Sequence, residues 1–163
     1  MKLAGLNEVL AYKNEEVISR FSEDYKISVV DAEEIFQEML KWLWLCGFQL
    51  KEAEDGRADV IDVPLLSEIF SVDLMWHTFI LFTRDYAEFC EKYFATFIHH
   101  IPQTRQEKES WKRRMAANPT IARQEREDHL RAAYELIYDQ LGPTTLSKWV
   151  EEFPEKFLSL QVK

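Results

Sequence analysis

Val72–Pro102, VDLMWHTFILFTRDYAEFCEKYFATFIHHIP, decides how this chain folds. From Val72 to Phe82 the only polar side chains are Asp73, His77 and Thr78. A segment that apolar on all sides reads as a helix buried on most faces. Thr83 can cap a following helix, Arg84 to Phe94, in which Tyr86, Phe89, Cys90 and Tyr93 fall on one side. Arg84, Asp85, Glu88, Glu91 and Lys92 fall largely on the other, the pattern of a helix covering a core. Two such helices joined at Thr83 fold back on one another, and His99-His100-Ile101-Pro102 leaves the second as an extended stretch.

Toward the N-terminus, Leu6 to Tyr25 spaces Leu6, Val9, Leu10, Val17, Ile18 and Phe21 as one amphipathic helix. Ile27 to Val30 is short and β-branched, and Asp31 with Glu34 forms the pattern of a capping box opening a second helix. That helix runs through the aromatic Trp42 to Phe48, with Gly47 as its expected stop. Lys51 to Asp59 reads as an exposed charged loop. Asp62 and Pro64 then suit the cap and first turn of the helix that reaches Phe82.

Toward the C-terminus, Gln103 to Ala117 is a charged helix closed by Asn118-Pro119. Thr120 can cap the next, striped by Leu130, Tyr134, Ile137, Tyr138 and Leu141 and ended by Gly142-Pro143. A short helix capped at Thr144 or Thr145 carries Leu146, Trp149 and Val150, and Phe153 and Phe157 close the chain. No alternating strand of convincing length occurs, so the expectation is an all-α fold, a compact single-domain bundle of six or seven helices over residues 1–163.

Composition narrows the function classes. At 163 residues and 47% hydrophobic the chain can bury a core without staples. The N-terminus reaches Asn7 and Glu8 before any signal-peptide core, and no apolar run approaches the roughly 20 residues of a membrane span. Cys46 and Cys90 are expected as free thiols, and the chain as a soluble cytoplasmic protein. A net charge of −9 argues against nucleic acid and anionic membrane as partners. Residues 103–131 depart from this balance, with eight Lys/Arg against five Asp/Glu. That basic hairpin, with Trp111 as its one large aromatic, is the candidate surface for a protein partner.

Reactive side chains gather only in the stretch quoted first. Asp73 and His77, four residues apart, share a helix face and can hydrogen-bond side chain to side chain, fixing the imidazole tautomer and freeing its second nitrogen. Cys90 can approach them across the hairpin, and one of His99 and His100 can point into the same site. Asp73, His77, Cys90, His99 and His100 are thus the candidate metal ligands, a borderline-soft N/S/O set suited to zinc. Two alternatives stand beside this: a buried Asp-His pair with a purely structural role, and a Cys90-His77-Asp73 relay of a hydrolase or transferase. The relay is the weaker, because Cys90 falls mid-helix with no oxyanion hole in view.

The run Asp73, Trp76-His77, Ile80-Leu81, Thr83, Tyr86, Cys90, Phe94, His99-His100 and Pro102 resembles the motif of the glycine-rich domain-containing protein-like family. The resemblance covers about 30 residues and implies a shared helical domain and polar cluster, without the glycine-rich segment and without a defined activity. Phe79 stands where members often carry a second His, and Ala95 where Gly is usual.

Overall fold

A computed structural model describes residues 2–57, 69–102 and 104–162. The described residues are all-α, with no strand among them. The chain runs through α1 (Leu6–Leu10), α2 (Glu15–Tyr25), α3 (Val29–Glu54), α4 (Phe70–Leu81), α5 (Thr83–Phe94), α6 (Arg105–Ala117), α7 (Pro119–Leu141), α8 (Pro143–Ser147) and α9 (Phe153–Lys156). A π-helical turn, Lys148–Glu152, joins α8 to α9, and a 3₁₀ segment, Leu158–Val162, follows. No described helix is long and apolar enough to cross a membrane.

The helices are more numerous and more finely divided than the hydrophobic spacing predicts. The first one breaks after Leu10, because Tyr12 turns inward against Phe36, Phe79, Phe89 and Tyr93. Asn14 then restarts the helix by accepting from the Val17 N–H, and its amide donates to Asp85 of α5 at 2.8 Å. The start of α3 is capped by Ser28, which accepts from the Asp31 N–H, and not by Asp31 itself. The short β-branched run is helical from Val29 on, with Lys26 in the left-handed region (φ 56°) making the corner. Residues 51–54, read as loop, extend α3, while Asp59, Asp62 and Pro64 lie outside the described residues.

Gly47 does not stop α3; it lets another helix touch it. A Cβ there would sit 2.8 Å from Phe94 Cδ1 and 3.3 Å from a Leu3 methyl, so only glycine permits this approach. Over its 26 residues α3 is the axis of the fold, packed by α1, α2, α4 and α7. Ile35, Phe36, Met39, Leu40 and Leu43 are wholly buried along it, the i, i+3, i+4 pattern carried through to a real face. The core they start continues through Phe79, Phe89 and Phe94 to Trp149 and Phe153 near the C-terminus.

The C-terminal elements are fastened to α3 by charge. Glu38, 3% exposed, accepts from Trp149 Nε1 at 2.9 Å and pairs with Lys41 at 2.9 Å and Lys148 at 3.4 Å. Lys148 also meets Glu34 at 2.7 Å, and Lys156 bridges Asp31 and Glu34. A buried carboxylate is tolerated only with such partners. Burial opposes the Lys148 ammonium, but the bond to Glu34 and the charges of Glu38 and Glu34 outweigh it and raise its pKa.

Candidate metal centre

Helix α4 is apolar enough to be buried all round, yet one strip of it reaches solvent. Val72, Met75 and Phe79 are wholly buried and Trp76 nearly so, while the His77 side chain is 53% exposed and Leu81 stands out of the surface. Asp73 and His77 lie one turn apart on that strip. The His77 Nδ1 lies 2.8 Å from the Asp73 main-chain carbonyl and 3.4 Å from its carboxylate Oδ2. A carbonyl can only accept, so Nδ1 carries the proton and Nε2 of the neutral ring keeps its lone pair. The expected tautomer lock is therefore present, but its main partner is the backbone rather than the carboxylate.

The third member arrives from beyond α5. That helix ends at Ala95 in the left-handed region (φ 51°), which explains why glycine suits this position. The chain then crosses back over α4, held by buried Tyr86, whose hydroxyl donates to the Ile98 carbonyl at 2.6 Å and accepts from Trp76 Nε1 at 3.0 Å. Two residues on, His100 Nε2 meets Asp73 Oδ1 at 2.9 Å. Its ring lies against Trp76 and His77, centroids 4.4 and 4.3 Å away.

Asp73, His77 and His100 each bring one donor atom to within 4.8 Å of the other two. Two imidazole nitrogens and a carboxylate oxygen suit a divalent transition ion, zinc among them. Tetrahedral zinc sets its donors about 3.3 Å apart, within reach of small side-chain rotations from this spacing. Asp73 touches both rings, His77 through its main-chain carbonyl and His100 through its carboxylate.

Cys90 and His99 do not join them. Cys90 is buried, with Tyr86 and the Ile98 backbone hydrogen-bonding its sulfur, and burial outweighs both and pushes its thiol up. Burial likewise pushes the Cys46 thiol up to about 12, so neither sulfur is a thiolate near neutral pH. His99 is exposed and packs on Phe97 at 4.9 Å. Phe79 points from the opposite side of α4 into the core, against Tyr12, Phe36, Tyr86 and Phe89. A histidine at this position would not face the cluster in this fold.

The residues that sequence reasoning missed are Trp76 and Tyr86, which place His100. The Trp next to His77 was visible, but its link to a tyrosine ten residues on exists only once α4 and α5 fold as a hairpin. No curated protein and no solved structure matches the chain. A family match does extend over residues 14–127, a span that holds all three clustered donors along with Trp76 and Tyr86. It gives the glycine-rich naming no support. By that match over more than half its length, the chain belongs to the UCP032817-like family, an uncharacterised family.

Proposed function

We propose that this protein is a metal-binding helical domain in which Asp73, His77 and His100 hold one divalent transition ion, zinc in the first instance. The observation that carries this reading is that Asp73, His77 and His100 each bring one donor atom to within 4.8 Å of the other two at the surface of α4. Three protein donors leave a coordination position open, where a bound ion would act as a Lewis acid on a further ligand. Two free thiols raised by burial agree with work in a reducing cytoplasm. The core continuing from α1 to the C-terminal segment agrees with a single domain. The likeness of the Trp76-His77 and His99-His100 motifs to the glycine-rich domain-containing protein-like family implies a shared helical domain and polar cluster, and no activity.

The test is titration of metal-free protein with zinc and cobalt(II). About one equivalent should bind, cobalt should give the visible bands of nitrogen and oxygen coordination, and the melting temperature should rise with metal. His77→Ala should abolish stoichiometric binding while the apo-protein stays folded, because this ring is mostly solvent-exposed. Absence of binding by the wild-type chain ends the proposal. A Cys90 hydrolase gains nothing from the geometry, since its buried sulfur meets Tyr86 and the Ile98 backbone and lies outside the Asp73–His77–His100 cluster.

A second reading concerns the surface: the α6–α7 hairpin serves as a docking arm for protein. It is favoured by the absence of any buried side chain in α6, where Trp111 is only half-buried under Arg114 at 5.4 Å.

A further inference from the structure

Residues 105–128 form two helices that bury one side chain between them, Ala122. Among the described elements α6 packs substantially on α7 alone, and the first half of α7 offers only Ala122 in return. Helices of this length are marginal in water without tertiary packing. The arm keeps Ile121 58% exposed and Trp111 half-covered beside a concentration of Lys112, Arg113 and Arg114. Residues 103–131 carry +3, whereas the rest of the chain, out of a total of −9, carries −12.

The complementary surface lies on the same chain. At the α2–α3 corner Val29 is 54% and Val30 73% exposed, large values for adjacent valines. Exposed Glu23 and Glu33 flank them in sequence, with Asp24 paired to Arg20, Asp31 and Glu34 bridged by Lys156, and Lys26 nearby, five acidic groups against three basic ones. This is an apolar tip with a predominantly acidic rim, matching an arm with apolar Trp111 and Ile121 and a basic rim.

We propose that the arm's partner is a second copy of this chain, the α6–α7 arm of each protomer docking on the α2–α3 corner of the other. The exchange is mutual, so the contact is two-fold and closes as a dimer. The proposal rests on reading the arm as an interaction surface and is independent of the metal site.

The test is the molar mass of the full chain by sedimentation velocity and light scattering at low and high salt. Twice the chain mass at low salt, falling toward the monomer as salt screens the contact, is expected. The double variants R113E/R114E on the arm and E23K/E33K on the corner should each be monomeric, with unchanged helical circular dichroism. Mixed together they should dimerise again, because each then presents the charge the other lacks. A wild-type monomer at low salt overturns the proposal, as does a dimer that neither variant weakens or a mixture that stays monomeric. Amide exchange on the same sample separates this from the arm's general role. In a monomer, fast exchange throughout α6 leaves the arm free for a different protein, whereas core-like protection of α6 removes the interaction reading too.

Discussion

Glu38 and Asp73 are two carboxylates on neighbouring helices, and the difference between their partners separates structure from function. Glu38 is sealed under Trp149, and its oxygens are taken by an indole N–H and two ammonium groups. Those donors have no second valence to offer, so the group is saturated and serves as a fastening. Asp73 keeps a 19% exposed side chain, and its partners are imidazoles. An imidazole can give up a proton and accept a metal in the same place. The first carboxylate is finished by its neighbours, while the second is only arranged by them.

The largest effect should come from breaking the saturated site. Glu38→Ala leaves the buried Trp149 N–H without its acceptor and takes one carboxylate from Lys41 and Lys148, which keep Thr145 and Glu34, and should cost about 3 kcal/mol. Urea unfolding at neutral pH measures it, and a loss below about 1 kcal/mol would erase the contrast drawn here. Metal binding should survive in the folded fraction.

Acid should strain the same fastening next. The bond to Lys156, with that to Ser28, holds the Asp31 carboxyl below its usual range. Burial raises Glu34, but hydrogen bonds to Lys148 and Lys156 overcome it and leave the net shift downward. Both groups therefore add stability that is complete above their unfolded pKa, and it is lost as pH falls through the lower folded values. The urea midpoint should hold steady near neutrality and drop below about pH 4, less steeply in Lys156→Met. An unchanged acid limb in that variant would count against the shifts. These pairs face solvent, so salt should shrink the difference.

The open site should show the reverse profile. Asp73→Asn keeps shape and one acceptor oxygen, so it should cost about 1 kcal/mol or less in the apo-protein while removing metal binding. If Asp73→Asn unfolds the chain as severely as Glu38→Ala, then both carboxylates are fastenings. The smallest effect belongs to Ala95→Gly, which relieves a left-handed alanine and should stabilise the apo-protein by up to about 1 kcal/mol with metal affinity retained.

Much of this was legible beforehand for physical reasons. Apolar spacing at Ile35, Phe36, Met39 and Leu40 has one period and one outcome, so the all-α fold followed from it. Asp73 and His77 stood out because polar groups in an apolar stretch are conspicuous, while His99 and His100 stayed alternatives. What did not follow was pairing across the chain. Asp73 takes its shortest side-chain contact from His100, 27 residues away, and Cys90 turns aside, because a single left-handed residue at position 95 and the Tyr86 bridge redirect the backbone. Nothing in the spacing of α3 marks Glu38 as internal; only the return of Lys148 and Trp149, over 100 residues later, makes it so. Gly47 misled for a related reason, since a glycine that ends a helix and one that admits a neighbour are identical in sequence.

That last glycine has a consequence for genetics. Position 47 touches Phe94, the residue that precedes Ala95 and the crossing which delivers His100. A methyl group there acts as a wedge at the root of the loop, displacing the third donor without altering any of the three. A screen for chains that fold but fail to retain metal should return Gly47→Ala beside the donor substitutions, and its suppressors should be smaller residues at Phe94 or Leu3.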